Sequence, residues 1–371
     1  MNILIAPDKF KGSLSALEVG RAIQKGIERY DSSVHCSIHP LADGGDDSLE
    51  ILNNYLKLER IPIQVNDPLG RPILSHYYIS EKAAFIELAA ASGLVMLKEK
   101  EYNPLKTSTY GSGEMIVDAL KRGAQKVYLF LGGSATNDAG MGIASAMGFR
   151  FLDKNEKVLS PTGENLIHVD TIDRSRLPFS VQSIEFYCLC DVQNPFCGEN
   201  GASYVYAAQK GATHKMIADL DSGLNHFANV VYAQLSVEIR VVAGGGAAGG
   251  IAGGLFGLLN AKIQNGLDTI FTLSGFEEKL QQADIVISGE GKLDTQTLEG
   301  KVVSGVAQLA RKYHKPLYLF VGQHELSVAQ QNQLGIHRIF SILAEAKNLR
   351  DAMKNADHIL SRLAEQFSRE N

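Results

Sequence analysis

The chain opens on a short apolar run, Asn2-Ile-Leu-Ile-Ala6, closed by Pro7 and then by charged residues, the pattern of a strand that runs out into a loop. Ser15 with Glu18 three residues on reads as a capping box, and Leu17, Ile23 and Ile27 share one face of the helix it would start. Residues 34–39 supply a second strand, and Leu49, Leu52 and Leu56 make one face of a second helix. The far end of the chain repeats this rhythm. Apolar runs at 285–287, 317–321 and 339–343 are separated by stretches of helix length. Strands that alternate with helices predict a parallel sheet covered by helices on both faces.

Between the two ends the pattern changes. Residues 61–65, 73–79 and 84–88 are strand-like and follow one another quickly, the first two joined by the turn-rich Asn66-Asp-Pro-Leu-Gly-Arg-Pro72. Connections this short favour antiparallel pairing. At 371 residues the chain exceeds the ~100–200 usual for one domain. The expected architecture is α/β: a Rossmann/flavodoxin-like parallel-sheet domain built from residues 1–59 and 278–371, interrupted by a second, mixed α/β domain at 60–277. The site is expected in the cleft between them.

Five loops carry residues suited to anions and metals, and most directly follow a strand, where a parallel sheet places its ligands. In Ala6-Pro-Asp-Lys-Phe-Lys-Gly-Ser13, Lys9 and Lys11 are candidates to hold anionic oxygens, against the plainer reading of a solvated loop. In Leu41-Ala-Asp-Gly-Gly-Asp-Asp-Ser48, Asp43 suits magnesium or sugar hydroxyls, whereas Asp46 or Asp47 are also explained by a helix start. Gly132-Gly-Ser-Ala-Thr-Asn-Asp138 brings small residues whose backbone N–H groups can converge on phosphate. Ser134, Thr136 and Asn137 add side-chain donors there, and Asp138 can serve a metal. Gly244, Gly245 and Gly246, after an apolar run at 237–242 read as a strand, can cradle an anion. In Ser288-Gly-Glu-Gly-Lys-Leu-Asp-Thr295, continuing to Gly300 and Lys301, Glu290 and Asp294 are spaced to share a metal with Lys292 beside them. Asp191, in Cys190-Asp-Val-Gln-Asn-Pro195, is a further candidate base or metal ligand.

Composition narrows the partners. A net charge of −5 without long Lys/Arg runs argues against nucleic acid and anionic membranes. The first apolar stretch is too short for a signal peptide, and no run approaches a membrane span. Four cysteines are too few for a disulfide scaffold, so a reducing cytoplasm is expected. They form no CxxC pair, and the ten histidines no HExxH, which leaves little support for zinc.

Glycine-rich loops bearing acids and lysines are what phosphoryl transfer requires: charge neutralisation and in-line positioning with little covalent help. There is no GxxxxGK[ST] loop, protein-kinase signature or GxSxG elbow. Gly244, Gly246 and Gly249 match the dinucleotide fingerprint, which motivates an NAD-linked hydroxy-acid dehydrogenase as the competing enzyme. A non-catalytic nucleotide sensor is the competing reading from another class.

The ordered segments closely resemble the bacterial glycerate kinase family, type I, whose fold differs from P-loop and protein kinases. The resemblance rests on Ala6–Ser13, Ala42-Asp-Gly-Gly45, Asp67-Pro-Leu-Gly-Arg-Pro72, Ile86-Glu-Leu-Ala-Ala-Ala-Ser-Gly93, Asn103-Pro-Leu105 with Thr109-Tyr-Gly111, and the 132–138 loop. It continues through Cys190-Asp-Val, Asn194-Pro195, Gln209-Lys-Gly-Ala212, the 243–250 loop and Ser288-Gly-Glu-Gly291. It implies phosphorylation of D-glycerate by ATP with Mg²⁺, leaning toward 2-phosphoglycerate, by a monomer or homodimer. The carboxylate of glycerate would need a positive partner, with Arg71, Lys9 and Lys11 as candidates. The chain departs from the family pattern at Asp46-Asp47 and at Ala139, where a glycine is common.

Overall fold

A computed structural model of the chain describes residues 1–45, 48–178, 180, 183–294 and 302–371. They fall into two compact units, Met1–Leu56 with Gly266–Asn371, and Lys57–Asn265. The strands of the two large sheets are, in chain order, β1 (Asn2–Pro7), β2 (His35–Ile38), β3 (Glu59–Asn66), β4 (Pro72–Ser80), β5 (Ala83–Glu87), β6 (Lys126–Phe130), β7 (Glu185–Leu189), β8 (Lys262–Gln264), β9 (Ile285–Gly289), β10 (Leu317–Val321) and β11 (Ile336–Ser341).

In the first unit the order is β11-β10-β9-β1-β2, with every pairing parallel. Counted along the chain this is the 2-1-3-4-5 order of a flavodoxin-like sheet, which reverses direction between β1 and β9. Strands β9 and β10 are buried throughout and rich in Ile, Val, Leu and Phe with little alternation, as expected where helices cover both faces. The capping box forms as read: Ser15 N–H donates to Glu18 Oε2 at 2.8 Å, and Glu18 N–H to Ser15 Oγ at 3.3 Å. The helix it starts, Ala16–Tyr30, turns Val19, Ile23 and Ile27 into a core shared with Ile359, Leu360, Leu363 and Phe367 of the last helix, Ala356–Glu370. Each such side chain contributes roughly 1.5–3 kcal/mol by leaving water. The strand expected at 339–343 ends earlier, at Ser341, because the chain turns into the short helix Ile342–Glu345, and Leu343 N–H donates back to the Gly322 carbonyl.

The second unit has the order β8-β7-β6-β5-β4-β3. The pairs from β8 to β5 are parallel, and β4 and β3 add an antiparallel edge, in keeping with the short turn that joins them. The run at 237–242 is not a strand; this expectation is corrected. Only Ile239 is drawn fully into the core, where it lies against Gly257 so closely that a Cβ there would stand 2.8 Å from its Cγ2. The flanking Glu238 and Arg240 pair with each other instead, at 2.6 Å. Among the described residues no helix is long and apolar enough to cross a membrane.

Candidate active site

The carboxyl ends of the first unit's strands open on a cavity of about 580 Å³. Lys9, Lys11, Asp43, Glu290 and Lys292, all singled out from sequence, line it together with Asp8. Its position is the switch point of the sheet, where the connections of β1 and β9 leave in opposite directions and a crevice opens.

Backbone hydrogen bonds lace the contributing loops to one another. Asp8 N–H donates to the Gly289 carbonyl at 2.8 Å, Leu41 N–H to Pro7 at 2.9 Å, Gly322 N–H to Glu290 at 3.1 Å and Gln323 N–H to Gly291 at 3.2 Å. The exits of β1, β2, β9 and β10 are therefore held in register before any ligand arrives, which is the condition for electrostatic preorganisation. The lysine loop is closed by a tight turn, Phe10 N–H to Leu14 O and Ser13 N–H to Phe10 O, both 2.8 Å. Asp43 Oδ1 accepts Gly45 N–H at 2.9 Å. Gly44 between them has φ 94°, and a Cβ on it would come within 2.6 Å of Gly266 Cα, so no side chain is tolerated there. Glu290 is 5% exposed at the cavity wall. Lys292 Nζ lies 3.3 Å from Asp294 Oδ2 and 3.2 Å from Glu325 Oε1, so its charge is matched by carboxylates at the rim.

A second set of expected residues gathers in the other unit, after β6. Gly132 and Gly133 are exposed, whereas Ser134, Thr136 and Asn137 are buried. The turn is anchored to residues 92–94 by Ala135 N–H to Ser92 O at 2.9 Å and Leu94 N–H to Gly133 O at 2.9 Å. Its inner side is held by Lys210, which sequence reading did not assign a role. Lys210 Nζ donates to Ser134 Oγ and to the Thr136 carbonyl, both at 2.7 Å, and the residue is 2% exposed. Burial pulls its pKa down to about 7, against the opposing pull of Asp138. Thr136 Oγ1 and Asn137 Oδ1 are buried without a hydrogen-bond partner.

Several expected roles meet a different local structure. Asp138, read as able to serve a metal, is fully buried and accepts from Thr109 N–H and Oγ1 and from Gly140 and Gly142 N–H. Burial pushes its carboxyl up despite those four donors, and both oxygens serve the loop. The N–H groups of Gly245 and Gly246 already donate to Val242 O and Asn194 O, at 2.9 and 3.0 Å, so the anion cradle expected of Gly244, Gly245 and Gly246 is not built from these two amides. Arg71 is engaged by Asp67 at 2.5 Å and Glu101 at 2.8 Å. Asp191 is exposed just past the end of β7. Asp46, Asp47, Thr295, Gly300 and Lys301 lie outside the described residues. Ala139 has φ 53°, left-handed backbone of the kind glycine favours.

A flavodoxin-like sheet with lysines and acids converging at its switch point defines an α/β enzyme that handles a small polyanion. The chain belongs to the glycerate kinase family, whose model matches residues 3–370, and as such is an enzyme, a kinase. It is 39% identical to the glycerate kinase of Halalkalibacterium halodurans over 368 residues, 99% of this chain and 97% of that one. It is likewise 39% identical to the glycerate 2-kinase of Escherichia coli K12, covering 96% of this chain and 94% of the relative. A crystal structure from Salmonella typhimurium LT2 assigned as glycerate kinase 2 superposes with a TM-score of 0.89 at 36% identity, over 100% of this chain and 98% of the other.

Proposed function

We propose that the protein transfers the γ-phosphoryl group of ATP to the 2-hydroxyl of D-glycerate in the cytoplasm, giving 2-phosphoglycerate and ADP. The observation that carries this reading is the convergence of Lys9, Lys11, Asp43, Glu290 and Lys292 on one switch-point cavity. Phosphoryl transfer asks for charge neutralisation around the moving group, and Lys9 and Lys11 would supply it for phosphoryl oxygens and for the carboxylate of glycerate. Asp43, which lines the cavity, is the candidate to accept from a substrate hydroxyl. Magnesium is commonly held by one or two carboxylates together with substrate phosphates, so the acids here fit it even though, among the described residues, no three His, Cys, Asp or Glu side chains form a metal cage. Glu290 and Asp294, close together in the chain after β9, would hold Mg²⁺, which when bound offsets negative charge on the phosphate oxygens. Asp191 and Asp294 are also the candidates for orienting or deprotonating the attacking hydroxyl.

A nicotinamide-dependent reaction has less support, because the Gly244, Gly246, Gly249 fingerprint requires a preceding strand and residues 237–242 are not one. Incubation with ATP, Mg²⁺ and D-glycerate, followed by ³¹P and ¹H NMR, should give ADP and a phosphomonoester coupled to the C2 proton. Coupling to the C3 protons would overturn the regiochemistry, and absence of any phosphoester would overturn the kinase reading.

A further inference from the structure

The switch-point cavity has a second character that lysines and acids do not explain. Its apolar lining comes almost entirely from the chain after β11: Ile342, Leu349, Ala352, Met353 and Ala356. Two of these, Leu349 and Met353, are 57% and 43% exposed, although large apolar side chains beside a polar crevice gain from being covered. Glycerate has no apolar face to offer them, since each of its carbons carries oxygen. In ATP the one large face of low polarity is the base.

The topology supplies a length as well. The lining draws on the loops that follow all five strands, from Asp43 after β2 to Ile342 after β11. Four interstrand intervals of about 4.8 Å make this edge roughly 19 Å long. A three-carbon acid covers a small part of that distance, whereas an extended nucleoside triphosphate spans it. The apolar wall is also pinned to the lysine loop: Ser13 Oγ donates to the Met353 carbonyl at 2.8 Å, and a Cβ on Gly12 would lie 3.2 Å from Met353 Cε. A ligand that touched both would present an apolar ring to one and anionic oxygens to the other.

Resting on the kinase reading, we infer that this cavity is the nucleotide site, with the adenine ring of ATP packed on Leu349 and Met353 and the triphosphate directed to Lys9 and Lys11. The flexible Met353 thioether adapts to a planar ring, and recognition is by packing more than by hydrogen-bond readout.

Calorimetric titration of the full chain with ATP and, separately, with inorganic tripolyphosphate tests this. Leu349→Asn and Met353→Gln make exposed side chains polar without adding charge and are expected to weaken ATP about tenfold each, equivalent to about 1.4 kcal/mol. Tripolyphosphate, which has no base, is expected to shift less than about twofold in both. Met353→Ala, a milder change, should weaken ATP by roughly threefold. Unchanged ATP affinity in all three variants would place the base elsewhere, and equal weakening of ATP and tripolyphosphate would make the wall a prop for the lysine loop; either result overturns the inference. Product formation by the wild-type chain is scored separately, so loss of the base subsite and loss of the kinase reading are told apart.

Discussion

Lys210 is an amine with almost no access to water, held by one hydroxyl and one carbonyl, and its pKa falls from 10.5 to about 7. Between those two values the unfolded chain carries a proton on this group that the folded chain lacks. Stability must then rise with pH across this window, because the slope follows the difference in bound protons, unfolded minus folded. One proton corresponds to about 1.36 kcal/mol per pH unit. From pH 7.5 to 9.5 the folded group is mostly neutral and the unfolded one mostly charged, so Lys210 should add on the order of 2 kcal/mol over that interval. Lys210→Met removes the titration while keeping much of the volume. Urea unfolding followed by circular dichroism at the two pH values should therefore show a smaller gain for the variant, by about that amount. A ¹³C titration of the lysine ε-carbons should in addition reveal one resonance with a midpoint near 7 that disappears in Lys210→Met. Equal pH gains in the two chains, together with no lysine titrating below pH 9, would refute the claim that this ammonium is desolvated.

Three further outcomes are expected. Glu290→Gln, Asp294→Asn and Asp191→Asn should each lower kcat, Glu290→Gln by about 100-fold, with unchanged circular dichroism, and near-normal turnover in all three would defeat the metal and base assignments. Gly44→Ala adds a Cβ 2.6 Å from Gly266 Cα on a backbone at φ 94°, and should cost at least about 2 kcal/mol, read as a lower melting temperature. Arg71 is already matched by Asp67 and Glu101, so Arg71→Ala should leave the KM for glycerate within about twofold, and a large selective rise would return it to the substrate site.

Much of this architecture is written in local pattern. The alternation of apolar runs and helix faces at both ends anticipates the parallel sheet, and the Ser15–Glu18 box and the turn at 66–72 anticipate a helix start and an antiparallel hairpin, because each is decided by neighbouring residues. Residues 237–242 mislead for the opposite reason. Their β-branched composition suits a strand, yet only tertiary packing decides that Ile239 goes inward while Glu238 and Arg240 close on each other. In the site, charged loops are visible because Lys, Asp and Glu beside glycine after a strand are unusual. Lys210 is not, since nothing in Gln209-Lys-Gly tells a buried amine from a surface one. Leu349 and Met353 carry no signal in the sequence, and their open exposure beside the cavity is apparent only once the chain is folded.

The pairing of β1 with β9 has a consequence for biosynthesis. Strand β1 lies inside its sheet with β2 on one side, but the neighbour that completes its hydrogen bonding on the other is made some 280 positions later, at Ile285–Gly289. The 57–265 segment is finished while the amino-terminal βα pair is still waiting, so nascent chains should pass through a stage in which an apolar Ile3-Leu-Ile edge is unsheltered. Chaperone demand, and the damage done by a late stop codon, should both concentrate on that interval of translation.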